Sequence, residues 1–179
     1  MSPANAYIPF PELTRELHAL LEEAVVVYAV LGGVAVARAS TFRTTGDVDI
    51  LVRRGEWERF RSSIKMENGE ETDEPSLLGS FRVGRDWAEH LPTGAPIDVL
   101  FAIDDWELPF LLPDPEDVRE WDAEAGAWFI APQKLLELKA AVYLSKLQEY
   151  GNATAAKDLA DVTALLRARR ELRQPATVD

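Results

Sequence analysis

Apolar positions set the first boundaries. Leu13, Leu17, Leu20 and Leu21 recur at helical spacing and predict a helix over 11–24, with Pro11 in its first turn. The β-branched run "VVVYAVL" at 25–31 predicts a strand that stops at Gly32-Gly33, and helix formers at 34–40 open a short helix behind the glycines. "DVDILV" at 47–52 predicts a strand. A helix follows over 55–65, with Trp57, Phe60 and Ile64 on one side. Further strands are expected at 77–84, at 96–102 ("PIDVLFA") and, briefly, at 128–130. The strongest helical pattern covers 132–150; "GNAT" interrupts it, and a second long helix is expected over 155–172. Residues 67–76 read as an acidic surface loop, 104–117 as Pro-rich and irregular, and 174–179 as a frayed tail.

This order predicts an α/β (α+β) protein. A mixed β-sheet with flanking helices occupies 1–130, and a C-terminal helical pair at 131–173 packs on it. A chain of 179 residues suits one domain with a real core, and 47% hydrophobic with 28% charged residues is ordinary for a globular protein. There is no cysteine, which excludes disulfides and thiolate metal sites and fits a reducing compartment. "MSPANAYIPF" lacks the features of a signal peptide, and the longest apolar run is cut by Gly32 and Gly33, so a cytoplasmic protein with no membrane span is expected.

Charge narrows the partners. A net charge of −12 repels nucleic acid overall. Basic residues gather in "RRGEWERFR" (53–61) and "RARRELR" (167–173), which read as solvated helix faces or, more sharply, as docks for a polyanion or an acidic partner.

Two carboxylates inside an apolar strand need a reason. Asp47 and Asp49 fall on one side of the strand, roughly 6–7 Å apart, while Val48 and Ile50 face the other way. Asp98 sits among Ile97, Val99, Leu100 and Phe101 in another apolar strand, and pairing of the two strands would make three carboxylates converge. Two like charges at 4 Å repel by about 4 kcal/mol at an effective dielectric of 20. A divalent cation offsets that cost, and oxygen-only ligands suit Mg²⁺ or Mn²⁺. The plainer alternative is a strand-edge turn pair with no metal. Gly32-Gly33 ends a strand and opens a helix, which permits close approach of a phosphate or simply makes a tight turn. No GxGxxG or Walker-type loop is present. His18 and His90 are lone and are assigned nothing.

"LGG", then "DVD", then "IDV" resembles the DNA polymerase β-like nucleotidyltransferase superfamily. "GGVA" and "RTTGDVD" are similar to the motifs of minimal bacterial nucleotidyltransferases of the AbiEii toxin type, with Arg43, Thr45, Asp47 and Asp49 in register. "LLELKAA", containing Lys139, and Lys157-Asp158-Leu159-Ala160-Asp161 resemble that group's C-terminal motif. The resemblance covers residues 25 to 166; Ser40 departs from it, standing where the group often has Gly.

The resemblance implies a nucleotidyltransferase fold and a Mg²⁺- or Mn²⁺-dependent transfer of NMP from an NTP to a hydroxyl or terminal acceptor: RNA or tRNA, protein or small molecule. Gly32, Gly33, Arg43, Thr45 and Lys139 would bind nucleotide. Asp47, Asp49 and Asp98 would bind metal and catalyse, with Lys157 and Asp158 as possible additions. Read plainly, Lys139 snorkels from the core edge and Lys157, Asp158 and Asp161 form a helical charge face. The implied role is the toxin of a toxin–antitoxin pair, with a cognate antitoxin as partner. The rivals are an inactive nucleotide-binding or antitoxin-like protein, and an aminoglycoside-type antibiotic nucleotidyltransferase.

Overall fold

A computed structural model describes residues 10–40, 45, 47–63, 81–82, 97–102 and 112–171. Its first element is helix α1 (Phe10–Glu23), whose Leu17 and Leu21 are fully buried. Each such side chain contributes about 2 kcal/mol by leaving water. Strand β1 (Tyr28–Leu31) follows, then α2 (Gly32–Ala39), β2 (Val48–Val52), α3 (Arg54–Ser63), β3 (Phe81–Arg82) and β4 (Ile97–Phe101). A single turn of helix, α4 (Pro115–Val118), leads into a hairpin of β5 (Arg119–Asp122) and β6 (Ala127–Ile130). Helices α5 (Pro132–Tyr150) and α6 (Asn152–Glu171) complete the described chain.

The six strands form one mixed sheet in the order β3-β4-β2-β1-β6-β5. β1 runs antiparallel to β2 and parallel to β6, and β2 runs parallel to β4. All four residues of β1 are buried, as expected of an interior strand covered on both faces. α2 packs against β1 and β2 and also meets α5 and α6, so the helical pair is tied to the sheet through α2. Among the described residues no helix is long and apolar enough to cross a membrane.

The expected mixed sheet with flanking helices and a closing helical pair is what the chain forms. Several boundaries differ, a helical turn at Pro115–Val118 replaces irregular chain, and one strand is added. The 25–31 strand begins only at Tyr28, because Val25 takes a positive φ of 56° in the turn that ends α1. α2 begins at Gly32 rather than behind the glycines. The interruption between the long helices is Gly151 alone, at φ 80°, and α6 already starts at Asn152. β5 has no apolar alternation and is held only by pairing with β6, its residues "REWD" being half-buried or exposed at the sheet edge. Of the expected 77–84 strand, Phe81–Arg82 is described. The 67–76 loop, residues 104–111 and the 174–179 tail lie outside the described residues.

The basic cluster at 53–61 is partly accounted for. Arg53 donates to Asp114, Glu56 and Glu116 at 2.6–3.0 Å, and Glu56 in turn accepts from the backbone N–H of Val27 at 2.7 Å. Arg54 lies over the ring of Phe101. Arg53 thus ties the start of α3 to the helical turn at 115–118, and Arg54 ties it to the end of β4.

Candidate active site

Strand register assembles the centre. In the parallel β2–β4 pair Asp49 stands directly opposite Asp98, and in the antiparallel β1–β2 pair it stands opposite Leu31. Leu31 leads straight into Gly32 and Gly33, so Asp49 has Asp98 on one side and the glycine turn on the other. Asp47 immediately precedes β2 rather than lying within it.

The two glycines are required by different neighbours. Gly32 has a φ of +64°, and a Cβ there would fall onto the carboxylate of Asp49. Gly33 donates its backbone N–H to that same carboxylate. A Cβ on Gly33 would lie 2.7 Å from Oγ1 of Thr45 and 3.0 Å from its Cβ. Thr45 in turn donates its hydroxyl to Oδ1 of Asp47 at 2.6 Å. Leu31, at the N-cap of α2, makes no side-chain capping hydrogen bond. Gly32→Ala combines left-handed strain with an overlap against Asp49, and about 3 kcal/mol of stability should be lost. Denaturant unfolding of the variant checks this, and an unchanged midpoint would contradict the close approach.

Asp49 carries the electrostatic cost. Burial pushes its carboxyl up to about 6, with the charges of Asp47 and then Asp98 adding to the rise. The ammonium of Lys139 and the Gly33 N–H act in the opposite direction. Lys139 reaches this region from α5 and is itself held by α6: its Nζ lies 3.0 Å from Oδ2 of Asp161 and 3.6 Å from Oδ1 of Asp158. Lys146, two turns further along α5, takes Oδ2 of Asp158 at 2.8 Å. Asp158 and Asp161 are each only 3% exposed, so they are an interior network rather than a solvated charge face. Lys157 is exposed.

The structure thus brings together Gly32, Gly33, Thr45, Asp47, Asp49, Asp98 and, through its charge, Lys139. Arg43 lies outside the described residues. Asp158 reaches the site only by way of Lys139, and Lys157 is not drawn in. Lys146 escaped the sequence reading; its offset of seven residues from Lys139 was the available signal, since that spacing repeats one helix face.

Among the described residues no three carboxylate or imidazole groups enclose an ion as they stand. Two other properties fit a hard divalent cation. The donors are all oxygen, and the repulsion by Asp47 and Asp98 that adds to the burial of Asp49 is the kind that a bound cation removes. The missing side chain at Gly32 leaves the Asp49 carboxylate its room at the helix start.

No family model matches the chain, and no curated protein matches it. Solved structures do. An antigenic nucleotidyltransferase-like protein from Paracoccidioides brasiliensis aligns with a TM-score of 0.50 and 17% identity over 88% of this chain and 75% of that one. The antibiotic-resistance factor ANT(2'')-Ia in solution aligns with a TM-score of 0.49 and 16% identity over 91% of each chain. The same factor in complex with adenylyl-2''-tobramycin gives 0.46 and 14% over 88% and 95%. With its mixed sheet and flanking helices, the chain has a nucleotidyltransferase-like fold.

Proposed function

We propose that this protein is a Mg²⁺-dependent nucleotidyltransferase that moves an NMP from an NTP onto a hydroxyl or terminal group. The observation that carries the proposal is the register of Asp49 against Asp98, with the Asp49 carboxylate lodged at the glycine turn that opens α2. Asp47, Asp49 and Asp98 would hold the cation, which supplies charge neutralisation at the phosphates and at the departing pyrophosphate. The turn at Gly32-Gly33 receives the donor phosphates at the start of α2. Lys139, and Arg43 by its motif position, offset phosphate charge. The acceptor oxygen bonds to the α-phosphorus as the bond to the bridging oxygen breaks. Pyrophosphate leaves with that electron pair, and the hydroxyl proton passes to Asp98. Positioning and charge account for most of the rate in such a transfer.

The net charge of −12 favours a cationic small-molecule acceptor over RNA. The toxin role, with a cognate antitoxin as partner, rests on the motif resemblance alone.

Thermal unfolding with Mg²⁺ or Mn²⁺ and each NTP in turn, on wild type and Asp49→Ala, tests the reading. A ligand at 100 times its dissociation constant stabilises by about 2.7 kcal/mol. For a chain of this size that is a rise of roughly 5–10 °C. The expected result is a metal-dependent rise with at least one NTP that Asp49→Ala abolishes. No rise with any pair would favour an inactive partner protein on the same fold.

A further inference from the structure

Motif position places Thr45 at the nucleotide, but its hydroxyl is engaged elsewhere. Oγ1 donates to Oδ1 of Asp47 at 2.6 Å and lies 3.4 Å from the backbone carbonyl oxygen of the same residue. Gly33 makes that arrangement possible, since a Cβ there would press on both Oγ1 and Cβ of Thr45. Asp47 needs a restraint. Asp47 directly precedes β2 and lies two residues from Asp49, and like charges so close repel, so an unrestrained Asp47 carboxylate would be driven to rotate away from its neighbour. A hydroxyl donating to an ionised carboxylate makes a short, strong hydrogen bond able to resist that rotation.

We propose that Thr45 is a positioning residue that holds the Asp47 carboxylate in place for a divalent cation and does not itself bind nucleotide. The proposal rests on the metal-dependent reading above. Thr45 is wedged between the glycine turn and Asp47, so the segment that receives phosphate and the segment that holds the cation share one strut. Outer-shell partners of this kind govern metal affinity by fixing the ligand's orientation, and their loss typically costs 10- to 100-fold.

The test measures Mn²⁺ affinity without nucleotide, by electron paramagnetic resonance of free Mn²⁺, and then NTP affinity at saturating Mn²⁺. Thr45→Val keeps the branched shape and removes the donor; Thr45→Ser keeps the donor. Thr45→Val should weaken Mn²⁺ binding 10- to 100-fold. Thr45→Ser should restore it, and NTP affinity at saturating Mn²⁺ should stay at the wild-type value. In an Asp47→Ala background Thr45→Val should cost nothing further, because Thr45 acts only through Asp47. Unchanged or tighter Mn²⁺ binding by Thr45→Val overturns the proposal, as does a loss of NTP affinity at saturating metal. Wild-type protein that binds no Mn²⁺ overturns the metal reading itself, and this proposal with it.

Discussion

Asp49→Asn should abolish nucleotidyl transfer and at the same time make the metal-free protein more stable at neutral pH. The first effect follows from removing the charge opposite Asp98. The second follows from linkage. The folded-state carboxyl is raised from 3.8 to about 6, so folding favours its protonated form. That contribution is fully present below pH ~4 and is lost as pH rises through about 6. The difference of about two units is worth roughly 3 kcal/mol above pH 6. Asparagine removes the penalty and still accepts the Gly33 N–H. Thermal unfolding at pH 7.5 in chelator should therefore show the variant roughly 5 °C or more above wild type, with the gap closing toward pH 4. A variant less stable than wild type at pH 7.5 would mean that Asp49 is not under electrostatic strain.

The second large effect is expected at Lys139. Its ammonium is a counter-charge that Asp161 meets at 3.0 Å, in a part of the α5–α6 interior where both aspartates are nearly inaccessible. Breaking a buried pair by deleting one member costs about 3–5 kcal/mol, because the other charge stays behind. Lys146 still neutralises Asp158, so Lys139→Met should fall near the lower figure, a loss of roughly 6–12 °C in Tm. Asp161→Asn introduced into Lys139→Met should recover part of the loss, and that non-additivity is the signature of a direct pair. Equal and additive losses would mean that the two residues act separately. Transfer by Lys139→Met should fall as well, since its charge also reaches Asp49.

These two sites differ in how far the sequence disclosed them. Asp49 and Asp98 were legible because each is a charge inside a short apolar run, and a strand of period two leaves few ways to accommodate it. The glycine turn was legible because glycine punctuates a β-branched run. Lys139 drew notice only through a motif, since which residues face it depends on how α5 and α6 pack. Asp158 and Asp161 therefore looked like a surface charge pattern although both are buried. Arg53 shows the same limit: its partners Asp114 and Glu116 are 61 and 63 residues away, so a basic cluster in the sequence became a tie between distant segments. β5 was missed because an edge strand held by one neighbour carries no hydrophobic period of its own.

The hydrogen bond from Gly33 to Asp49 has a consequence for the order of binding. A phosphate arriving at the start of α2 meets a backbone donor already occupied by the protein's own carboxylate, an internal competitor of the same charge. A cation held by Asp49 under the proposed function would free that donor. Under the proposed function, ion and nucleotide are thus linked ligands: each raises the affinity for the other by the same factor, and free nucleotide alone faces a closed seat. On that reading the turn would work as a coincidence detector, admitting the donor only when its counter-ion is present.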